Sequence, residues 1–296
     1  MDKFLTVYGH VAVDVILFPS CISTLADYHV SLGGTGSNIA LGTSQFGVPV
    51  ALCSCIGNNF PREFRQILND SGVNIDELME KDEKTSLVAI INKEIGADSL
   101  MYRAPYGSLT KNDDLLISNA VKSEYTHFST GSPEYHLAIM EKIKGQTIIV
   151  FDASKDLILW EKEDLKRAIA ISEIVFCNAE EEKIILEKLN VNSPLELEVD
   201  LFVSTKDSEG SCAYFENKKV NIPMFTVVAS DSTGAGDAYR SGFYAARFKK
   251  YSLIDSLVIG ASLASFCVER KGTSIKGISW DQVLERAKHH LNGNGV

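Results

Sequence analysis

A doubly wound, mainly parallel β-sheet flanked by helices is the fold this 296-residue chain predicts, from the alternation of its segments and the apolarity of its strand-like runs. Short runs rich in β-branched and aromatic residues alternate with amphipathic stretches, the sequence pattern of βαβ units. Several of those runs are apolar on both faces, which suits central parallel strands covered by helices. They are FLTVYG at 4–9, VALCSCI at 50–56, IIVFD at 148–152, EIVFCN at 173–178 and LFVST at 201–205. Helical spacing falls between them at 37–46, 60–71, 134–144, 161–171 and 179–189, the last with Ile185, Leu186 and Leu189 at helical intervals. From Ala235 onward the chain reads as mainly helical, ending in a fraying LNGNGV tail.

Two stretches break this alternation. KTSLVAIIN at 84–92 and DSLMYRAP at 98–105 flank Gly96 as a hairpin would, and VAVDVILF at 11–18 follows the first strand almost without a turn. Segments 11–18 and 84–106 therefore predict a small β-sheet projecting from the main one, a lid if it lies near a ligand. No linker or internal repeat divides the chain, so residues 1–296 read as a single α/β domain.

With 45% hydrophobic and 23% charged residues, the composition is that of an ordinary globular protein. The formal charge of −10 argues against nucleic acid or an anionic membrane as partner, since both are bound through positive patches. No segment approaches the roughly 20 apolar residues of a membrane span, and His10 and Asp14 interrupt the apolar N-terminus, so a cytoplasmic protein with a small-molecule ligand is expected. Six cysteines at 21, 53, 55, 177, 212 and 267 form no CxxC pair and lie in or beside apolar runs, where buried thiols are expected ahead of a zinc site.

The most informative stretch is DSTGAGDAYRSGF at 231–243. An extended segment precedes it and helical spacing of Tyr239, Phe243 and Ala246 follows, which places Gly234, Ala235 and Gly236 at a helix N-terminus. Unpaired N–H groups and the positive end of the helix dipole make such a start a pocket for an anion, and glycine lets a phosphate approach the backbone. Asp237 reads in two ways. It is either a charge that favours the first helical turn, or a base that takes a proton from the group attacking the bound phosphate.

Two familiar phosphate motifs are excluded. No Gly-Lys dipeptide exists for a Walker A loop, and in LGGTGSNIALG at 32–42 the dinucleotide spacing fails, because counting from Gly34 and Gly36 the last glycine position is Ile39. A nicotinamide dehydrogenase fits poorly.

GGTGSNIALG near the N-terminus and DSTGAGDAYRSGF near the C-terminus together resemble the two signature regions of the ribokinase-like (PfkB) carbohydrate kinases, in the same order and over most of the chain. The resemblance implies ATP- and Mg²⁺-dependent phosphoryl transfer to a hydroxymethyl group of a small sugar or nucleoside. It makes Asp237 the general base and Gly234, Ala235 and Gly236 the amides around the transferring group. Asp14, Gly34 and Asn38 match positions that bind sugar hydroxyls, although Asn38 also reads as a helix cap. CNAEE at 177–181 resembles the N-x-x-E element, which gives Asn178 a place by the nucleotide and Glu181 a place by Mg²⁺ through water. Glu181 reads equally as one of several charges on a solvated helix face. VSTKDSEGS resembles the T-x-G-x-x-G segment, with Thr205 and Gly210 matching and Asp207 standing where glycine is usual. Gly272 matches the segment beside the adenine, and Asp231 and Thr233 match positions that bind K⁺ in some members. Arg103 suits an acidic sugar or sugar phosphate, or else keeps an edge strand soluble, while Tyr102 and Tyr106 could stack on a nucleoside base. A homodimer through the lid is expected from its exposed edge.

Overall fold

The structure is a computed structural model that describes residues 3–21, 24–92, 97–230, 232–270, 272 and 275–291. The chain opens with β1 (Lys3–Tyr8), then leaves the main sheet for β2 (Ala12–Cys21) and β3 (Thr24–Gly33). It returns through α1 (Thr35–Ser44) to β4 (Val50–Gly57), α2 (Arg62–Asp70) and β5 (Leu78–Lys81), and departs again for β6 (Ser86–Asn92) and β7 (Ala97–Tyr102). A regular alternation follows: β8 (Ser123–Phe128), α3 (Pro133–Ile143), β9 (Ile148–Phe151), α4 (Lys162–Ala170), β10 (Ile174–Asn178), α5 (Ala179–Leu189) and β11 (Leu201–Thr205). β12 (Ser211–Phe215) and β13 (Lys218–Ile222) form an edge hairpin, and α6 (Ala235–Phe248), α7 (Leu253–Val268) and α8 (Trp280–Ala287) complete the chain.

The main sheet runs in the order β13-β12-β11-β10-β9-β8-β1-β4-β5 and is parallel throughout except for β12, which opposes both neighbours. β1 has β4 on one side and β8 on the other, so the chain winds away from it in both directions. That reversal marks the carboxyl ends of β1 and β8 as the place where sheets of this type carry a ligand crevice. Apolar residues fill both faces. Ile39 of α1, Phe243 of α6, Leu263 of α7 and Val283 of α8 belong to one buried cluster; Met140 of α3, Leu165 of α4 and Ile185 of α5 belong to the other. Side chains so fully buried each contribute roughly 1.5–3 kcal/mol relative to exposure.

The excursions meet in a separate four-stranded sheet, β3-β2-β6-β7, with β2 parallel to β6 and antiparallel to β3. The expected hairpin is present as β6 and β7, paired from Leu87 with Tyr102 to Asn92 with Ala97, while its turn at Gly96 lies outside the described residues, as does residue 292 onward in the tail. β3, β5, β8 and β12 are strands that the sequence reading did not single out, while β13 takes up the start of the extended segment read ahead of the 231–243 turn. In β8 the reason is polar content. Ser123, Thr126 and His127 are buried in the centre of the sheet, where Thr6 hydrogen-bonds Ser123 at 2.7 Å, Thr147 bonds Thr126 at 3.0 Å and the Tyr244 hydroxyl meets His127 Nδ1 at 2.8 Å. Such pairing removes the penalty that makes a polar run look unlike a core strand. Cys53, Cys55, Cys177, Cys212 and Cys267 are buried, and no cluster of three or more metal-ligating side chains occurs among the described residues. Among those residues no helix is long and apolar enough to cross a membrane.

Candidate active site

Two helix N-termini converge on the crevice. α6 is entered through Gly234, whose φ of 80° is left-handed and suits glycine, and no side chain among the described residues caps the helix start. The turn that this conformation forces brings the Ala235 N–H onto the Ser232 carbonyl at 3.2 Å. Of the three amides expected to line an anion pocket, Ala235 is thus already engaged within the protein, a correction to the sequence reading. Gly234 and Gly236 have no such acceptor among the described residues.

α1 is entered through Gly34, with φ 92°, and the Gly36 N–H donates to the His10 carbonyl at 3.0 Å. Asn38 lies a turn inside this helix, its N–H donating to the Gly34 carbonyl at 2.9 Å, so the cap reading fails. Its side chain reaches the other helix instead, where Nδ2 donates to Asp237 Oδ2 at 2.8 Å.

Burial lifts the Asp237 carboxyl to about 7. The Asn38 hydrogen bond and the Arg240 guanidinium oppose the lift, while the Asp152 and Asp14 carboxylates add to it. Asp237 keeps intermediate exposure, so water in the open crevice partly screens these charges. A carboxyl poised near neutrality, held by an amide donor and aimed from a helix start, is placed to accept a proton.

Asp14 stands on β2, in the four-stranded sheet expected to act as a lid, and is 8% exposed. Gly33 leaves the space its carboxyl occupies, because a Cβ at Gly33 would run into it. Oδ1 has no hydrogen-bond partner among the described residues, and burial raises the carboxyl to about 6. An unpaired buried carboxylate is costly, and hydroxyl donors from a ligand would satisfy it.

Further along the carboxyl edge of the sheet, Asn178 and Thr205 are partners in register at the ends of β10 and β11. Asn178 caps α5, its side chain accepting from the Glu181 N–H at 2.8 Å, and Glu181 Oε2 accepts from the Asn178 N–H at 2.9 Å. This capping box gives both residues a local structural role, and it settles that Glu181 is buried and not on a solvated face. Glu181 Oε1 has no protein partner among the described residues; burial and then the Asp152 charge raise its pKa. Gly210, with φ 85°, has no room for a Cβ beside the Ile222 carbonyl. Asp207 adopts φ 45°, a left-handed conformation that aspartate tolerates better than most residues, which accounts for its standing where glycine is usual. Gly272 follows α7 with φ 80°. The Thr233 carbonyl accepts the Cys267 thiol at 3.5 Å, and Asp231 lies outside the described residues.

Arg103 is not merely an edge-strand solubiliser. Its Nη1 pairs with Asp156 Oδ1 at 2.7 Å, Asp156 itself being buried, and His10 Nδ1 lies 3.8 Å from the other oxygen of that carboxylate. Tyr106 is buried and bonds His136 Nε2 at 2.7 Å, so it cannot stack on a base. Tyr102 pairs with Leu87, which pairs with Val13; Asp14, one residue on from Val13, therefore faces the opposite side of the lid, and base stacking fails for Tyr102 as well.

The sequence reading missed three buried polar residues behind Asp237: Arg240, Asp152 and His127. An aspartate closing an apolar strand and an arginine on the apolar face of a helix were the available signals.

The pfkB family carbohydrate kinase profile matches residues 2–280, and the chain belongs to that family. It is a phosphotransferase with an alcohol group as acceptor. A nucleoside kinase of Methanocaldococcus jannaschii is 32% identical over 98% of both chains, and one of Methanothermobacter thermautotrophicus is 29% identical over 92% of this chain and 91% of the relative. The crystal structure of the M. jannaschii enzyme, described as an archaeal member of the ribokinase family, superposes with a TM-score of 0.86 over 98% of this chain and 99% of that one.

Proposed function

We propose that this chain is an ATP- and Mg²⁺-dependent nucleoside kinase that phosphorylates the hydroxymethyl group of the acceptor's ribose. The observation that carries the reading is the unsatisfied carboxylate of Asp14 on the lid, set against Asp237 and Asn38 on the body. Ribose hydroxyls would donate to Asp14, and Gly34 and Asn38 would complete the contact. Asp237 would take the hydroxymethyl proton as that oxygen attacks the γ-phosphorus, with the Gly234 and Gly236 amides facing the transferring group. The nucleotide would lie towards Asn178, Thr205, Gly210 and Gly272.

When bound, Mg²⁺ would offset negative charge on the phosphates. Glu181, with one carboxylate oxygen unused by the described residues, fits a role through bound water. The nucleoside reading draws on the two relatives named nucleoside kinase, whereas an acidic acceptor is disfavoured because Asp156 already offsets the Arg103 charge. An ADP-release screen over nucleosides, pentoses, hexoses and acidic sugars tests both: turnover should be highest with a nucleoside, and a preference for an acidic sugar would reject the reading.

A second copy of the chain is the partner proposed for the lid. The face opposite Asp14 carries Val13, Tyr28, Val30, Leu87, Leu100 and Tyr102, and the last five are exposed. Light scattering should give a dimer that Leu100→Glu converts to monomer; a monomeric wild type would reject this partner.

A further inference from the structure

Three residues beyond Asp237, Arg240 is 4% exposed and grips Asp152 with two bonds, Nε to Oδ2 at 2.8 Å and Nη2 to Oδ1 at 3.2 Å. Its remaining Nη1 donates to the Gly236 carbonyl at 3.3 Å. Asp152, also 4% exposed, follows β9; His127 of β8 places Nε2 3.4 Å from Asp152 Oδ2, and the guanidinium lies 5.0 Å over the Phe176 ring. A buried ion pair is weak evidence for stability, since apolar residues of similar volume often serve as well. This pair sits directly beneath the start of the helix that carries the base, and one of its donors is spent on the backbone of that start.

We propose that Arg240, anchored by Asp152, is a positioning residue for phosphoryl transfer: it fixes the Gly236 peptide at the pocket and sets a permanent positive charge under Asp237. The inference rests on Asp237 being the base. The charges that act on Asp237 are Asp14 from β2, Asp152 from the end of β9 and Arg240 from its own helix, with Asn38 of α1 as a neutral donor. Glu181 of α5 acts on Arg240, and His127 of β8 acts on Asp152. Arg240 favours the ionised base and Asp152 disfavours it, so removing either partner moves the base in opposite directions.

The test is the acid limb of kcat/KM against pH, measured on variants whose folding is checked by circular dichroism. Arg240→Met should move the limb to higher pH and Asp152→Asn to lower pH, each by up to about one unit. Arg240→Lys retains the charge but not the fork, so its limb should stay near that of the wild type while kcat falls about tenfold. A purely structural pair would lower the melting temperature and leave the limbs in place. Limbs that coincide with the wild type, or that shift the same way in both neutralised variants, overturn the proposal. If Arg240→Met does not fold, the limb of Asp152→Asn and the kcat of Arg240→Lys decide. Asp237→Asn in the same assay separates the two levels: an inactive variant with unmoved limbs elsewhere rejects only the role of Arg240, and an active one rejects the base itself.

Discussion

Two glycine-rich helix starts face each other across the crevice, and they use glycine for different reasons. At α1 the protein itself fills the space: a Cβ on Gly34 would run into the His10 carbonyl, and one on Gly36 would lie 2.7 Å from the Gly9 carbonyl. At α6 a Cβ on Gly236 would meet little besides Arg240 Nη1, at 3.3 Å. The first start is glycine so that two stretches of backbone can touch. The second has no such backbone contact among the described residues, which under the proposed function leaves clearance for a ligand. Motifs of similar composition thus separate into packing and ligand clearance only when their neighbours are known.

The most drastic way to probe the α6 side is Asp237→Asn, which should lower kcat by about 10³-fold while changing KM only a few-fold, measured by ADP release at saturating substrates. Wild-type turnover in that variant would remove the functional half of the comparison. A sharper probe exchanges one glycine on each side. Gly36→Ala should cost about 1–3 kcal/mol of stability through overpacking, read as a lower denaturant midpoint. Gly236→Ala should change stability by no more than about 1 kcal/mol in either direction, because its backbone is ordinary helix while its Cβ would press on Arg240 Nη1, yet should lose about tenfold in kcat/KM for ATP. The reverse pattern would show the assignments to be exchanged.

The smallest effect concerns pH. The carboxyls of Asp14 and Asp237, lifted by burial to about 6 and about 7, bind protons in the folded chain over a range where the unfolded chain has released them. Stability contributed by these two groups therefore falls as pH rises from about 4 to about 7. Asp14→Asn should raise Tm by about 2 °C at pH 8 and leave it unchanged at pH 4, in calorimetry at both pH values. A rise of equal size at both would mean that the gain is not electrostatic.

Much of this architecture was legible because apolar strands and amphipathic helices announce themselves by period, and because the turn at 231–243 combines residue types that rarely coincide without a ligand. What stayed hidden has one physical character. Thr126 and His127 in β8, the Asp152–Arg240 pair and the Arg103–Asp156 pair are polar groups made tolerable by partners far away in the chain. Arg240 and Asp152 are 88 residues apart, and Asn38 and Asp237 are 199 apart. Local pattern assigns such residues to surfaces or caps, and only the fold reveals the partner. Asn178 and Glu181 show the converse, since their capping box is a local signature that can be read from four residues and yet coexists with a place beside the proposed nucleotide.

The lid has a consequence of its own. Asp14 is carried on an excursion of the chain between β1 and α1, whereas Asp237 belongs to the body, so under the proposed function the two ends of an acceptor would be held by different parts of the fold. Under the proposed function such a clasp would work as a caliper. An alcohol of the right span would meet Asp14 with its reactive oxygen at Asp237, and a shorter one would not, so that molecular length would be gauged before any phosphate is spent.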